Sequence, residues 1–402
     1  MLRELIDRID TGATQAELAH ATGLSRPTIS TIVGDLKPIS AAVGETERST
    51  GGRKASVVRL DPGAAWAAAV DIGRSHIHVA ACDLRGAGGE ILQGEPWTSD
   101  SPDADSSIPE EYGATLTRAA KMLDALLDEG GVERSDLAGL AVGLPGPVYE
   151  GRPRGRLLRE WGHQDVGDAM LEALRTNSPD AWREIDSEAL EVVVDNDANL
   201  CGVAEHRWGV GQGVDDQLYV KWATGLGAAV IMDGALRRGA GGAAGEFGHT
   251  PVRDADDVAS CDACGRPCLE SKVGFGTLMS GVSFQDIQAA ADDDGHSLYD
   301  EVCEKVDEAA LVLGRELVPL VNALNPALIV IDGILNERNE HLFAGQVMKG
   351  LDEGALGAAR RDVKIRGSRF TLTAAARGGL AEVIDRHAVE FLIKKARERS
   401  NP

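Results

Sequence analysis

The sequence predicts an α/β protein in which an N-terminal winged helix-turn-helix precedes a larger body made of two related halves. Three observations predict this class. Two helix patterns separated by a glycine occur early in the chain, strand-glycine-strand units recur far apart in the remainder, and the two regions differ in charge. We therefore predict a DNA-binding domain over residues 1–62 and a second domain over residues 63–402.

The beginning of the chain has the pattern of short helices joined by a turn. After a short amphipathic helix, Thr14 and Glu17 form a capping box that starts a second helix. Gly23 can adopt the left-handed conformation that ends this helix, and Leu24 is expected to pack inward. Ser25 can cap the helix that follows. This arrangement predicts a helix-turn-helix.

The second helix of this pair has one apolar face and one polar face. Its apolar residues recur at spacings of three and four and are expected to face the core: Ile29, Ile32, Val33 and Leu36. Its polar residues point away from that core: Arg26, Thr28, Ser30 and Thr31. Short hydrogen-bonding side chains and an arginine suit base edges and phosphates in a major groove.

A β-wing with a basic tip is predicted over residues 47–60, where Arg53 and Lys54 would add DNA contacts. The alternative is a small helical packing module with a solvated polar face, which Asp35 favours. Charge bears on this choice. Residues 1–60 carry 8 Lys+Arg against 7 Asp+Glu, whereas the whole chain has a net charge of −23. DNA phosphates would repel the acidic body, which leaves contacts to the N-terminal module; the acidity also favours solubility.

The body contains two similar strand pairs. An apolar strand ends at Asp71 and Gly73 and is followed by a returning strand, and the scheme recurs over residues 218–234. Two such units so far apart predict a duplicated α/β body with a cleft between its halves. Glycines at these turns would let backbone amides approach phosphate, although a hairpin glycine can also serve the turn alone.

Polar side chains follow another apolar strand, residues 192–195. Asn196, Asp197 and Asn199 come at its carboxyl end, where active-site groups of α/β sheets gather. The Asp could accept a proton from a substrate hydroxyl while the flanking amides fix other hydroxyls. The same residues would also serve as the cap of a helix that begins near Leu200.

A cluster of cysteines and one histidine has the composition of a zinc site. The candidate ligands are His249, Cys261, Cys264 and Cys268. Glu246 and Glu270 flank them, so a metal would hold two carboxylates in place. The alternatives are three ordinary buried cysteines or a disulfide, which would leave one thiol over.

The sequence also predicts where the protein functions. No stretch approaches the roughly 20 apolar residues of a membrane span, and the chain starts with a charged helix rather than a signal peptide. We expect a cytoplasmic protein without a membrane partner, whose reduced thiols are available to metal.

Together these motifs resemble the ROK family, named for repressors, open reading frames and kinases. The resemblance is carried by Gly245 to His249, the cysteine cluster followed by Leu269 and Glu270, Asn196 to Asn199, and the loop Gly143 to Pro147. The N-terminal module is similar to that of the family's transcriptional regulators. The resemblance implies a two-lobed, actin-like sugar-kinase fold with its cleft near residues 195–275, assembled as a homodimer or homotetramer.

The resemblance also implies site residues. The residues that match the structural zinc ligands are His249, Cys261, Cys264 and Cys268. Those that match the sugar contacts are Asn196, Asp197, Glu246, His249 and Glu270. Asp197 lies in the place of the kinases' general base. The thiolate spacing departs from the usual C-x-C-x4-C and is C-x2-C-x3-C here, with the same overall span.

The nucleotide side departs further from the kinase pattern. Kinase members usually read Asp-x-Gly-Gly-Thr and Gly-Thr-Gly in two phosphate loops. The corresponding candidates here are Asp71, Gly73, Ser75, Thr224 and Gly225. Arg74 and Ala223 replace glycines, although Arg74 could instead help to hold phosphate. Asp332 stands in a late glycine pair, where a carboxylate near a triphosphate would be unfavourable.

These expectations favour a sugar-responsive repressor of carbohydrate metabolism genes that binds a double-stranded DNA operator and a small sugar or sugar-phosphate effector. The second hypothesis is an ATP-dependent hexose kinase, with or without DNA binding, that uses Mg-ATP and Asp197 as its base. A zinc-stapled scaffold without ligand would leave Glu246 and Glu270 unexplained.

Overall fold

The computed structural model describes residues 1–39, 44–45, 56–74, 76–98, 112–155, 158, 161, 164–183, 185, 190–252 and 258–400. Its helices are α1 (Leu2–Asp7), α2 (Gln15–Thr22), α3 (Arg26–Asp35), α4 (Tyr112–Glu129), α5 (Val166–Asn177), α6 (Pro179–Trp182), α7 (Asp197–Trp208), α8 (Leu269–Val273), α9 (Phe275–Leu278), α10 (Phe284–Asp292), α11 (Tyr299–Leu324), α12 (Ala344–Asp352), α13 (Gly357–Arg360) and α14 (Ala374–Ser400).

The strands of the N-terminal half are β1 (Ala13–Thr14), β2 (Gly44–Glu45), β3 (Ser56–Val58), β4 (Trp66–Ile72), β5 (His76–Asp83), β6 (Ile91–Gln93), β7 (Trp97–Thr98), β8 (Leu137–Leu144), β9 (Val148–Tyr149), β10 (Arg152–Pro153) and β11 (Glu191–Asn196). Those of the C-terminal half are β12 (Gln217–Trp222), β13 (Leu226–Met232), β14 (Ala235–Leu236), β15 (Leu328–Asn336) and β16 (Lys364–Ser368).

The N-terminal module consists of helices α1 to α3 and a sheet of order β1-β3-β2. The Thr14 hydroxyl accepts from the Glu17 amide, and the Glu17 carboxylate accepts from the Thr14 amide, so the predicted capping box is present. Gly23 is left-handed with φ of 69°. The inward packing expected of Leu24 is wrong: it is 42% exposed, because the fully buried Leu18 and Ile29 already close the core beneath the turn.

The first lobe is a mixed sheet of order β11-β8-β4-β5-β6. Strands β4 and β5 form the predicted antiparallel hairpin, and β8 and β11 run parallel to β4. Helices α4 and α5 bury apolar residues on one face of this sheet, and α14 covers the other. Because β11 runs directly into α7, its carboxyl end lies at the N-terminus of that helix.

The second lobe repeats the scheme with the order β14-β13-β12-β15-β16. Its β12–β13 hairpin is antiparallel, and β15 pairs in parallel with β12, as β8 does with β4. Helices α8 to α12 build the main core on one face, whereas α7 and α14 pack on the other. The predicted duplication of the body is therefore present in the topology of its sheets.

Helices α7 and α14 pack closely against each other between the lobes. A Cβ at Gly378 of α14 would lie 1.7 Å from the Leu200 carbonyl oxygen of α7, so only glycine permits this approach. Beyond the lobes, α14 shares one apolar core with α1, α2 and α3. The buried Lys395 Nζ of α14 donates to the Ala64 carbonyl and to Asp136 Oδ1, both at 2.6 Å. The shared apolar core thus attaches the N-terminal module to the C-terminal helix, and Lys395 ties that helix to the first lobe.

None of the helices in the described part of the chain combines the length and the apolar character that a bilayer crossing requires.

Candidate functional site

The cleft between the lobes brings together the residues predicted to contact sugar. Asn196 caps α7, and its Oδ1 accepts from the amides of Ala198 at 2.7 Å and Asn199 at 3.3 Å. The predicted capping role is therefore confirmed, although the helix begins at Asp197 rather than near Leu200. Because the Asn196 carboxamide oxygen is engaged with the helix, its amide nitrogen is the group available to a ligand.

Asp197 lies in the first turn of α7 and is paired with a lysine from the other lobe. Its Oδ2 accepts from Lys221 Nζ of β12 at 2.8 Å, and its Oδ1 accepts from the Ala198 amide at 2.7 Å. Burial alone would lower the pKa of Lys221, but the nearby charges, chiefly Asp197 together with Asp71, outweigh burial and hold that pKa above its ordinary value. The pair places an ammonium beside the carboxylate of the candidate general base.

Glu246 and His249 lie on a short 3-10 turn, Glu246–His249, that packs tightly on β13. A Cβ at Gly245, whose φ is 94°, would lie 2.0 Å from the Ala228 carbonyl oxygen. The His249 Nε2 atom is 3.6 Å from Glu246 Oε2. Burial, reinforced by the charges of Asp197 and Glu270, raises the pKa of Glu246 to about 7. Three carboxylates therefore face one another across the cleft.

Glu270 joins the two glycine turns of the body. Its Oε2 accepts from the Leu226 amide at 2.9 Å, and its Oε1 is 3.6 Å from Arg74 NH2. A Cβ at Gly225 would lie 2.6 Å from Glu270 Oε2, so a side chain at this position would displace the Glu270 carboxylate. Glu270 lies in the first turn of α8, the helix that begins directly after Cys268. The cysteine cluster and the two carboxylates predicted to contact sugar, Glu246 and Glu270, therefore belong to one segment of the chain.

The predicted metal ligands converge. One potential ligand atom from each of His249, Cys261, Cys264 and Cys268 lies within 4.8 Å of the others. His249 Nδ1 faces the thiols, at 3.7 Å from Cys261 Sγ and 3.9 Å from Cys268 Sγ. Bonds of about 2.1 and 2.3 Å to a tetrahedral ion put a nitrogen and a sulfur about 3.6 Å apart. The donor set therefore fits zinc.

The altered cysteine spacing is accommodated by a turn between the first two cysteines and the third. Gly265 has φ of 74°, and its amide donates to the Cys261 carbonyl at 2.7 Å. This turn returns the chain so that Cys268 faces Cys261, although one residue has moved relative to the usual pattern. His249 connects the metal-type cluster with the carboxylates of the cleft, because its Nδ1 faces the thiols and its Nε2 faces Glu246.

In the loop that corresponds to the first phosphate loop of the kinases, the groups that could bind a nucleotide are engaged by neighbouring residues of this chain. Asp71 is buried, and its Oδ2 is 3.1 Å from His76 Nε2. Burial opposes ionisation of Asp71, but His76 and the Lys221 charge outweigh it and hold the pKa of that carboxyl low. Gly73 donates its amide to the His76 carbonyl at 2.9 Å, so this amide is not free for a phosphate. Ser75 lies outside the described residues.

Thr224 and Gly225 form the turn of the β12–β13 hairpin. The Thr224 carbonyl accepts from the Gly276 amide at 3.1 Å, which docks the turn on α9. Asp332 does not project into an open phosphate site: it is buried, and the Tyr219 hydroxyl of the neighbouring strand donates to it. Burial raises the pKa of Asp332. The carboxylate expected to meet a triphosphate is thus turned into the sheet.

The predicted DNA-binding face of α3 is exposed. Four polar residues are solvent-accessible along this helix: Arg26, Thr28, Ser30 and Thr31. Ser25 caps the helix by accepting from the Thr28 amide at 3.3 Å. Thr31 uses its hydroxyl to donate to the Pro27 carbonyl at 3.2 Å. The predicted wing residues Arg53 and Lys54 lie outside the described residues.

Two charged residues of the cleft were missed by the sequence reasoning. Lys221 is the one charged side chain of β12, and this break in an apolar strand was the available signal. Arg238 follows β14, and its Nε donates to Asp195 Oδ2 at 2.7 Å. Asp195 and Arg238 are 43 residues apart and no pattern in the sequence links them, so their ion pair could be recognised only from the fold.

The fold and the cleft define a class: a two-lobed sugar-kinase-like body that carries an N-terminal helical module. The model of the ROK family matches residues 67–385. The chain therefore belongs to the ROK family, as its motifs predict.

Three similar proteins illustrate the range of this family. The xylose repressor of Caldicellulosiruptor bescii is 24% identical over 391 residues, with 92% of this chain and 91% of that protein covered. The glucokinase of Halalkalibacterium halodurans is 28% identical over 305 residues, covering 69% of this chain and 83% of that enzyme. A solved ROK family transcriptional regulator, a homolog of the Escherichia coli MLC protein, superposes with a TM-score of 0.72 at 21% identity, covering 98% and 97% of the two chains.

Proposed function

We propose that this protein is a sugar-responsive transcriptional repressor that binds a double-stranded DNA operator through residues 1–62. The repressor relative matches 92% of the chain, which leaves out fewer residues than the helical module contains, so the match extends into that module and favours a regulator over a kinase. The observation that carries the proposal is the exposed polar face of α3 in a chain that also has a sugar-type cleft. DNA contacts would come from Arg26, Thr28, Ser30 and Thr31, with Arg53 and Lys54 on the wing.

The effector is a small sugar bound between the lobes. Sugar hydroxyl groups suit the carboxylates, the amide and the imidazole that line the cleft: Asn196, Asp197, Glu246, His249 and Glu270. The described cleft holds five carboxylates, with Asp71 and Asp195 included, and its cations Lys221, Arg74 and Arg238 are already paired. This balance favours a neutral or amino sugar over a sugar phosphate, because added phosphate would meet uncompensated negative charge.

Zinc would be held by His249 and the three cysteines as a structural ion. When bound, it supplies no reaction chemistry and fixes the loop between β14 and α8. The chain's own residues do the rest: His249 presents Nε2 to Glu246, and Cys268 starts the helix that carries Glu270. Both carboxylates would then be oriented before sugar arrives, which lowers the entropy cost of binding.

The second candidate function is an ATP-dependent hexose kinase. Asp197 favours it, since it stands at the N-terminus of α7 inside the cleft, where it could accept the proton of a sugar hydroxyl. The first phosphate loop disfavours it, because Arg74 replaces a glycine and contacts Glu270 instead of leaving an open turn. Asp197 can equally serve as a hydroxyl acceptor in a sensor.

The experiment has a DNA arm and a nucleotide arm. Zinc-replete protein would be used to select duplexes from a random library, and the affinity of the enriched duplex would be measured with Arg26→Gln and, as control, the exposed Arg183→Gln. We expect wild type to enrich a duplex and only Arg26→Gln to lose affinity for it.

In the nucleotide experiment, ADP release with Mg-ATP and a panel of hexoses, amino sugars and pentoses would be compared between wild type and Asp197→Asn. Failure to enrich any duplex would refute the repressor, and sugar-dependent turnover lost in Asp197→Asn would establish the kinase.

A further inference from the structure

An arginine of the second lobe links the cleft to α14, the helix that packs against the N-terminal module. Arg238 Nε donates to Asp195 Oδ2 at 2.7 Å, and its NH2 donates to Glu382 Oε2 of α14 at 3.0 Å. Asp195 belongs to β11 in the first lobe. Arg238 therefore bridges the second lobe, the first lobe and the long helix that carries the module.

Asp195 in turn fixes the chain at the sugar-type residues. Its Oδ1 accepts from the Asn196 amide and from Asn199 Nδ2, both at 2.8 Å. Its side chain is only 3% exposed, so the Arg238 guanidinium is its compensating charge. A shift of Arg238 relative to the first lobe would consequently be felt at Asn196 and at the start of α7.

The other end of the connection reaches the module through α14. One turn beyond Glu382, Asp385 Oδ1 is 2.9 Å from Arg3 NH1 of α1, and Arg3 NH2 donates to the Asp385 carbonyl. Arg207, in the last turn of α7, is 3.2 Å from Asp7 Oδ1 and 3.5 Å from Asp385 Oδ2. Helix α1 is thus held by both helices that pack between the lobes.

These contacts surround a cavity of about 540 Å³ lined by α1, α7, the β13–β14 hairpin and α14. Surface ion pairs of this exposure add only about 0–1 kcal/mol each, so they do not lock the junction. A close-packed apolar junction has one arrangement, whereas charged side chains around an open cavity can re-pair when the hairpin moves. The contact between the β13–β14 hairpin and these helices is therefore adjustable, whereas α1 shares an apolar core with α14 and follows that helix.

We infer that Arg238 is a positioning residue that couples occupancy of the cleft to the setting of α1, with Glu382 as its partner on α14. This inference rests on the proposed function. Sugar that draws the lobes together carries Arg238 with the second lobe, and α14 receives the displacement through Glu382. The adjacent Arg237 cannot do this, because it pairs with the exposed Asp233 on its own hairpin.

The test uses three variants of the full-length, zinc-replete protein. Glu382→Gln removes the α14 end of the bridge while leaving Arg238 with Asp195, Arg238→Gln removes both ends, and Arg237→Gln is the matched control. Sugar affinity would be measured by calorimetry with D-glucose, D-xylose and N-acetylglucosamine. Hydrogen exchange of the α1 amides and affinity for the selected duplex would be measured with and without the sugar that binds wild type most tightly.

In wild type and Arg237→Gln, we expect sugar to change duplex affinity by about fivefold or more, together with α1 exchange. In Glu382→Gln, sugar affinity should stay within about twofold of wild type, but sugar should change duplex affinity by less than about twofold. Arg238→Gln should lose both this sugar response and sugar affinity. A full sugar response in Glu382→Gln would overturn the inference, as would a wild type that binds sugar and DNA without any response. Absence of sugar or DNA binding would instead refute the proposed function, and the inference with it.

Discussion

Replacing Lys221 by methionine tests whether the ion pair in the cleft holds the lobes as the geometry indicates. The substitution keeps most of the apolar stem of the side chain and removes its charge. Asp197 would then lie beside Glu246 without its ammonium partner, and the two carboxylates would repel each other. We expect the variant to be less stable and to bind sugar more weakly.

The magnitude follows from how buried the pair is. Removing one partner of a fully buried ion pair costs about 3–5 kcal/mol. Lys221 and Asp197 are 22% and 14% exposed, so water still reaches them. We therefore expect a loss of about 2–3 kcal/mol in the free energy of unfolding, below the fully buried range and above the ~1 kcal/mol of a surface pair.

The assay is equilibrium urea unfolding of wild type, Lys221→Met, Asp197→Asn and the double variant, with the exposed Lys121→Met as control. The double variant should be more stable than the sum of the two single losses predicts, with a coupling free energy of at least about 1 kcal/mol. Additive losses would refute the reasoning, because they would mean that each residue is stabilised by something other than its partner. An equal loss in Lys121→Met would show that removal of any positive charge is enough.

Three further outcomes are expected. Cys264→Ser should lower zinc content and sugar affinity together, because the metal braces the segment that bears Glu270, and normal sugar binding in metal-free protein would refute that coupling. Substituting Arg26 together with Arg53 should weaken DNA binding and reduce the slope of log affinity against log salt by about two, whereas an unchanged slope would contradict the DNA contact. Burial lowers the pKa of His78 from 6.5, so the unfolded chain takes up the proton at higher pH than the folded chain, and stability should fall as the pH drops below about 6.5. Circular dichroism should show that stability falls less steeply with decreasing pH in His78→Gln. The same decrease in both proteins would exclude His78 as its source.

Much of the fold could be predicted from local patterns. The capping box at Thr14 and the left-handed Gly23 follow from side-chain and backbone chemistry within a few residues, and both are present. The two hairpins could likewise be predicted, because each apolar strand ends at a glycine turn. Leu24 was predicted wrongly, since whether an apolar side chain in a turn is buried depends on how completely distant residues fill the core.

The candidate site divides in the same way. The metal ligands lie close together in sequence, so spacing and donor chemistry were enough to predict a cluster that the fold brings together. Lys221 and Arg238 make their contacts across the cleft, with partners 24 and 43 residues away, and nothing local indicates which carboxylate each one meets. Asp332 shows the limit most clearly, because its strand position was evident while its burial against Tyr219 was not.

The apolar core that α14 shares with helices α1 to α3 bears on the order in which the molecule assembles during synthesis. The N-terminal module leaves the ribosome before α14, although α14 completes its apolar core and comes after the other elements that the structure describes. Domains tend to fold as they emerge, at about 5–20 residues per second, so the module must wait roughly twenty seconds or more for its support. A nascent chain would thus carry an incompletely supported N-terminal module until both lobes are made, so the proposed recognition of DNA would be delayed until the cleft also exists.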